Sequence, residues 1–370
     1  MSATPAALEA SASTERQAGG EGAVPLLRVE GLDMHFPPKR RGDSPLIAVD
    51  QVSFTLGDGE TLSVVGESGS GKTTIGRCVA RLYRPSAGRI VYRAEQGEVD
   101  LATLERDALR PIRRQIQMLF QDPNASLNAR MRVGDIVVEP LEIHGVGTRA
   151  ERLERARALL ERVGLGAEAI NRYPHQLSGG QRQRVGIARA LSIEPRLLIC
   201  DEPVSALDVS VQAQVLNLLR DLQQEYGMSY LFVSHDLGVV DYISDRVLVL
   251  YLGAVMELSS RDELFDAPAH PYTRALLDAM PARIDGRHRK RSVLPGEIAG
   301  PSSRRGGCPF AGRCPHAIER CRSEVPALRP WSRAPAKLVA CHRADELDLG
   351  SAVPIPRAAP PPSQPNDAPA

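Results

Sequence analysis

Gly66-Glu67-Ser68-Gly69-Ser70-Gly71-Lys72-Thr73 is the stretch that decides how this chain of 370 residues is organised. It matches the pattern Gly-x-x-x-x-Gly-Lys-Ser/Thr, in which backbone amides surround a phosphate, the lysine contacts the outer phosphates and the hydroxyl binds Mg²⁺. An apolar strand is expected just before it, at residues 62–65, and a helix from Thr74 onward. Because a helix N-terminus favours anions, this context supports a nucleotide phosphate site over a simple glycine-rich turn.

Composition excludes several classes of protein. The net charge is +1, so no strong basic field favours nucleic acid as a partner. No apolar run approaches the roughly 18–20 residues of a membrane span, and the N-terminus lacks a basic-then-apolar signal pattern. We therefore expect a cytoplasmic protein, with any membrane span provided by another subunit.

Apolar strands alternate with amphipathic helices through most of the chain, which predicts the α/β class with a parallel sheet. Residues 1–25 are rich in Ala, Ser, Gly and Glu and are interpreted as a disordered leader. Residues 344–370 are rich in Pro and Ala and are interpreted as a disordered tail. The basic run 287–291 is interpreted as a solvated linker.

A second glycine-rich segment, Ser178-Gly179-Gly180-Gln181, precedes a predicted helix. It is either another anion cradle at a helix N-terminus or simply a helix cap. Soon after it, an apolar strand ends at Asp201-Glu202. A strand-end Asp suits Mg²⁺, and the adjacent Glu could orient an attacking water.

Two further polar residues follow in the same order along the chain. Asp208 comes shortly after Glu202, and His235 follows the next predicted strand. Each has an ordinary alternative, since a strand-end Asp often caps a helix and a strand-end His is often a hydrogen-bonded core residue. The ordered set is far more specific than any member.

The set resembles the ATPase subunit of an ABC transporter, over roughly residues 26–265. The resemblance implies a P-loop NTPase fold: a RecA-like parallel core, an antiparallel β-subdomain and an α-helical subdomain at about 122–176. It also implies that two subunits enclose two ATP molecules head to tail, each supplying its glycine-rich signature to the other's phosphate loop.

The family's functional residues carry over one by one. Glu202 resembles the catalytic glutamate and His235 the switch histidine. Mg²⁺ would be held at Thr73, Gln121 and Asp201, where Gln121 resembles the glutamine that senses the membrane subunit. Phe36 resembles the aromatic residue that stacks on adenine. The implied ATP-binding residues are Phe36, Gly66, Glu67, Ser68, Gly69, Ser70, Gly71, Lys72, Thr73, Thr74, Gln121, Ser178, Gly179, Gly180, Gln181 and Asp208.

Several segments narrow the resemblance to the oligopeptide/dipeptide importer branch, and within it to the second, "F-type" ATPase. They are the run 128–136, Glu139-Pro140-Leu141, Tyr173-Pro174-His175-Gln176 and His270-Pro271-Tyr272-Thr273. The implied partners are a second, homologous ATPase, two membrane permeases and an extracytoplasmic substrate-binding protein. The expected location is therefore the cytoplasmic face of the membrane.

Other functions stay open at this point. One is an ATPase subunit of an importer for another solute, such as nickel or an oligosaccharide, because ATPase subunits do not select the solute. A soluble ABC ATPase acting on DNA or ribosomes is disfavoured, because the chain has a single cassette and a compact stretch between the phosphate loop and the signature.

Four cysteines cluster in a C-terminal extension predicted at residues 266–343. Their spacing lacks the short C-x2-C of a zinc ribbon, although four thiolates suit either Zn²⁺ or an iron–sulfur cluster. Some members of the importer branch hold a [4Fe–4S] cluster in a similar segment, and four reduced, unliganded thiols are the alternative. The candidate ligands are Cys308, Cys314, Cys321 and Cys341.

Overall fold

The protein is described by a computed structural model over residues 24–38, 45–280 and 306–350. Most of the predicted leader and tail lie outside the described residues, as does the basic run 287–291. None of the described helices is long and apolar enough to cross a membrane.

The described residues contain twelve strands and eleven α-helices. The strands are β1 (Leu27–Phe36), β2 (Leu46–Leu56), β3 (Thr61–Val65), β4 (Ala87–Ala94), β5 (Gly97–Asp100), β6 (Ile116–Leu119), β7 (Leu197–Asp201), β8 (Ser229–Ser234), β9 (Arg246–Tyr251), β10 (Ala254–Ser260), β11 (Arg329–Trp331) and β12 (Ala334–Val339). The helices are α1 (Lys72–Val79), α2 (Arg106–Gln115), α3 (Pro123–Ser126), α4 (Val133–Ile143), α5 (Arg149–Arg162), α6 (Gly179–Leu191), α7 (Val209–Tyr226), α8 (Leu237–Ile243), α9 (Arg261–Asp266), α10 (Pro271–Asp278) and α11 (Glu319–Ser323).

Two sheets organise the described part of the chain. The larger has the strand order β11-β12-β10-β9-β3-β8-β7-β6, and its strands from β9 to β6 pair in parallel. The smaller has the order β2-β1-β4-β5 and is antiparallel throughout. The predicted α/β class, with a parallel core and an antiparallel β-subdomain, is confirmed.

The parallel strands are apolar on both faces because each face covers a different core. In β7, Leu197 and Ile199 face the core shared with the antiparallel sheet and α1. Leu198 and Cys200 alternate with them and face the core built with the helices α4 to α7. This period of two explains why the strand reads as an unbroken apolar run.

Between residues 122 and 176, the range predicted for the helical subdomain, the structure contains α3, α4, α5 and two short 3-10 turns. A turn separates α4 from α5 within this range. Gly145 and Gly147 adopt positive φ angles between α4 and α5. Thr148 then starts α5 with a reciprocal capping box to Glu151.

The C-terminal extension adds strands to the core sheet. β12 pairs antiparallel with β10 at Glu257 and Leu258, and β11 pairs with β12. The predicted disordered tail, residues 344–370, starts too early. Residues 344–350 are described by the structure, and Ala344 is buried and accepts a hydrogen bond from the Trp331 indole at 3.1 Å. The sequence did not predict β11 or β12, because the periodicity of apolar residues is weak in this Pro-rich region.

A fully buried ion pair fastens the extension to the sheet. Lys337 Nζ in β12 lies 3.1 Å from Glu257 Oε1 in β10, and neither side chain is exposed to solvent. The ammonium also donates to the backbone oxygens of Glu263 and Ala267, at 2.8 and 2.6 Å. The Glu257 carboxylate accepts from the amides of Ala269 and His270. Every donor of the lysine is therefore satisfied, as a buried charge requires.

Replacing Lys337 with Met should lower the free energy of unfolding by about 3–5 kcal/mol, because it leaves the Glu257 carboxylate buried and unpaired. Urea denaturation followed by fluorescence measures this, since the chain has one tryptophan and its ring lies 5.2 Å from Lys337 Nζ.

Arg320→Gln is the matched control, because it breaks an exposed ion pair with Glu324 in the same extension. Such a pair contributes at most about 1 kcal/mol. Equal, small losses in both variants would contradict the role given to Lys337.

Candidate functional site

The phosphate loop connects β3 to α1, and its glycines are required by neighbouring backbone. Gly66 and Gly71 both have positive φ angles, 154° and 105°. A Cβ atom at Gly66 would overlap the carbonyl oxygen of Leu250, and one at Gly71 would overlap that of Ala48. Only glycine fits either position, so the loop is shaped by the strands around it.

Lys72 opens α1, and its side chain returns into the loop. Nζ donates to the backbone oxygens of Gly66 and Glu67, at 2.8 and 2.9 Å. Burial lowers the pKa of Lys72, while the carboxylates of Glu202, Asp201 and Glu67 oppose that shift. The ammonium is thus held at the loop before any phosphate arrives. Ser70 is buried, whereas Ser68 and Gly69 are exposed.

Thr73 and Asp201 meet beside the loop. Thr73 Oγ1 donates to Asp201 Oδ1 at 2.7 Å. The second carboxylate oxygen, Oδ2, is buried and makes no hydrogen bond, and burial raises the pKa of Asp201. A buried oxygen without a partner next to a threonine hydroxyl is the donor set that Mg²⁺ takes. The residues therefore fit the ion.

Glu202 lies between the two other residues predicted to act with it. Its Oε2 accepts a hydrogen bond from Gln121 Nε2 at 2.9 Å and lies 3.2 Å from His235 Nδ1. Gln121 is thus directed at the carboxylate of Glu202, and among the described residues it makes no hydrogen bond to Asp201 or Thr73. Glu202 has a φ of 47°, an unfavourable value for a non-glycine residue. Its amide donates to Val233 O, so β8 helps hold the residue in this conformation.

The predicted signature lies at the N-terminus of α6, where Ser178 caps the helix. Its hydroxyl accepts from the Gln181 amide, and the Gln181 side chain accepts from the Ser178 amide. Gly180 is buried, and a Cβ there would overlap Val211 of α7. Asp208 caps α7 in the same way, accepting from the Val211 amide at 2.9 Å. Both segments thus have a structural role, and their contact with ATP stays a prediction.

Phe36 ends β1, and its ring meets that of Tyr83 edge-on, with the centroids 5.5 Å apart. It is partly buried against the core beneath the antiparallel sheet. Stacking of Phe36 on adenine stays a prediction. Thr74 is partly buried in the first turn of α1.

The four clustered cysteines of the extension surround one small cavity. Cys308, Cys314, Cys321 and Cys341 all line it. Burial raises the pKa of Cys308 to about 12 and also raises the pKa values of Cys314 and Cys341. Within the described ranges, no three His, Cys, Asp or Glu side chains are grouped so as to hold a metal ion.

The remaining cysteines have another role. Cys78 and Cys200 are fully buried in the two main cores. Burial raises the pKa of Cys78 to about 12, so its thiol stays neutral.

Profiles of two protein families match the chain. The ABC transporter family matches residues 49–205, and the family described as "Oligopeptide/dipeptide transporter, C-terminal region" matches residues 256–321.

Among curated proteins, a Brucella ovis protein named as a peptide import ATP-binding protein is 54% identical over 306 residues, covering 83% of this chain and 94% of its own. The oligopeptide transport ATP-binding protein AppF of Bacillus subtilis is 48% identical over 324 residues, covering 86% and 97%.

The chain belongs to the ABC transporter ATP-binding family. Its extension places it in the oligopeptide/dipeptide branch, and proteins of this family are ATPases.

Among solved structures, the ATP-binding cassette MJ0796 in a dimeric, post-hydrolysis state with ADP and phosphate is 30% identical with a TM-score of 0.57. It covers 64% of this chain and 98% of its own. The cassette CbiO1 of Clostridium perfringens is 27% identical with a TM-score of 0.56, covering 65% and 90%. The match to nearly the whole of each cassette agrees with a common ATPase core.

Sequence reasoning missed one connection of this ABC ATPase. Arg313, in the cysteine segment, contacts Glu67 of the phosphate loop across 246 positions of sequence. Tyr272 had been noted only as part of a branch motif, and its hydroxyl accepts a hydrogen bond from the Glu67 amide at 2.9 Å. No spacing rule predicts either contact, because each depends on how the extension packs.

Glu202→Gln should lower the ATPase turnover number by about 10²–10⁴-fold, because an amide cannot accept the proton of the attacking water. ATP binding should persist, since the loop and Lys72 are unchanged. Steady-state phosphate release and nucleotide binding measure the two effects.

Glu154→Gln is the matched control, as that carboxylate lies on α5 and is 76% exposed. Near-normal turnover by Glu202→Gln would overturn the role given to Glu202.

Proposed function

We propose that this chain hydrolyses ATP to power the import of oligopeptides or dipeptides through partner membrane permeases. The observation that carries the proposal is that the ATPase core and the C-terminal extension share one β-sheet. One part is an ATPase core with Glu202 held by two polar partners, and the other is the importer-branch extension paired to β10. The name of the Bacillus subtilis relative, an oligopeptide transport protein, supports the choice of solute.

In this mechanism the phosphates of ATP bind backbone amides of the phosphate loop, and Lys72 contacts the outer phosphates. Thr73 and Asp201 would hold Mg²⁺, which when bound neutralises charge on the β- and γ-phosphates. Glu202 orients the attacking water and accepts its proton. Gln121 and His235 contact the carboxylate of Glu202, so both would fix its orientation.

A partner subunit would supply the residues that contact the other side of the ATP. The contacts of Ser178 and Gln181 lie within their own helix, and Ser178 is exposed. A partner's phosphate loop could therefore approach the start of α6. A dimeric arrangement is supported by the related cassette MJ0796, whose solved structure is a dimer. Importers of this branch pair two different ATPases, so we propose a heterodimer.

The proposed assembly also contains two permeases and an extracytoplasmic substrate-binding protein. The chain would lie at the cytoplasmic face of the membrane as a peripheral subunit. An importer of another solute, such as nickel or an oligosaccharide, is the second candidate, because nothing in the ATPase core selects the solute.

The assembly is tested by affinity isolation of the tagged chain from detergent-solubilised membranes of its native cell. We expect two membrane permeases and a second ATPase to be isolated with it, and ATPase activity of the reconstituted complex to rise with peptide-loaded binding protein. Isolation with ribosomes or DNA instead would overturn the proposal. Stimulation by nickel- or oligosaccharide-loaded binding protein, but not by peptide, would select the second candidate.

We also propose that the four-cysteine cavity holds a [4Fe–4S] cluster. Four thiols around one cavity are the ligand set of such a cluster, and a small Pro-rich segment gains order from a bound group. A single Zn²⁺ is less well supported, because a mononuclear site needs its ligands close around one point. A bound cluster would also stabilise thiolates, which burial alone disfavours here.

Protein purified without oxygen should contain about four iron atoms per chain and absorb visible light. Cys314→Ser should remove both signals, whereas Cys78→Ser, a change in the main core, should keep them. Wild-type protein that contains zinc instead of iron, or neither metal, would show that the cluster proposal is wrong.

A further inference from the structure

One ion pair joins the cysteine segment to the phosphate loop. Arg313 lies between Cys308 and Cys314, and its side chain is only 8% exposed. Its Nη1 donates to Glu67 Oε2 at 2.6 Å, and its Nη2 donates to Glu67 Oε1 at 3.0 Å. This two-point contact fixes the direction of the carboxylate as well as its distance.

The backbone of Glu67 is held as firmly as its side chain. Its amide donates to the Tyr272 hydroxyl, and its carbonyl accepts from Lys72 Nζ. Tyr272 packs on Phe310 of the cysteine segment, with the ring centroids 5.3 Å apart. The extension thus contacts the phosphate loop through both a charge and a hydroxyl.

Glu67 is an unusual residue to place next to a polyanion. Burial lowers the pKa of Lys72, and the carboxylates of Glu202, Asp201 and, to a smaller extent, Glu67 oppose that shift. A Glu67 carboxylate without a cationic partner would compete with the ATP phosphates for Lys72, and it would repel those phosphates. The guanidinium of Arg313 neutralises it.

We propose that Arg313 is a positioning residue for ATP: it neutralises and orients Glu67, so that the C-terminal extension forms part of the nucleotide site. This rests on the proposed binding of ATP at residues 66–73 and is independent of the transported solute. It requires no bound cluster, although any change that displaces residues 308–314 would reach the loop through this pair.

The test is a double-mutant cycle of R313Q, E67Q and R313Q/E67Q, with equilibrium binding of MgATP and steady-state ATPase activity as readouts. R313Q should raise the Kd for MgATP about ten- to hundredfold, the range for loss of a charged hydrogen-bonded partner. KM should rise in parallel, with kcat at saturating ATP changed less than about threefold. The double variant should bind MgATP more tightly than R313Q, because the uncompensated charge is gone.

R320Q, in the same extension, is the control and should keep the wild-type Kd. Trp331 fluorescence verifies that the extension stays folded in each variant. An unchanged Kd in R313Q would overturn the inference. A double variant as weak as R313Q would also overturn it, because Arg313 would then act through the fold and not through the charge of Glu67.

If R313Q alone fails to fold, E67Q and R313Q/E67Q decide the question. Equal Kd values for MgATP in E67Q and R313Q/E67Q support the inference. A Kd that is tenfold higher in the double variant than in E67Q contradicts it. Failure of the wild-type chain itself to bind MgATP would overturn the proposed function instead.

Discussion

The close approach of backbone segments around the phosphate loop is the constraint on which the site depends. Gly66 lies against the carbonyl of Leu250 at the end of β9, and Gly71 lies against that of Ala48 in β2. The loop is therefore held between the parallel core and the antiparallel sheet. The shape of the loop is set by this packing, so the proposed binding of a phosphate need not order it.

The same loop is contacted from a third side by the C-terminal extension. The buried pair of Lys337 and Glu257 fixes the extension to the edge of the core sheet, and the ring of Phe310 packs against Tyr251 and Tyr272. Arg313 then reaches Glu67. The C-terminal extension is thus packed against the ATPase core and contacts its phosphate loop directly.

The proposed catalytic centre joins residues from different parts of the fold. Asp201 and Glu202 are held by β7 and β8, whereas Gln121 follows β6 and precedes the helices α3 to α5. His235 is half-exposed, so its contact with Glu202 faces solvent in this single chain. A movement of the helical segment or of a partner would therefore act on the carboxylate through residues that touch it directly.

The parts predicted from sequence are those encoded by local patterns. The apolar strand at 197–200, the glycine loop and the capping Ser178 are each recognisable within a few residues, because strand burial, phosphate geometry and helix caps leave short signatures. The parts that were missed depend on distant packing. β11 and β12 lack a clear apolar alternation, and the contact of Arg313 with Glu67 follows from the seating of the extension. Asp208 and Phe36 show why a motif position alone does not fix a role, since both make ordinary structural contacts.

The central proposal is that residues 66–73 form a prepared site for MgATP. Calorimetric titration of ATP into the wild-type protein and Lys72→Ala, with and without Mg²⁺, tests this claim most directly. The account predicts saturable binding to wild-type protein that weakens when Mg²⁺ is removed and falls at least tenfold in Lys72→Ala. Equal binding of ATP by both proteins would contradict it.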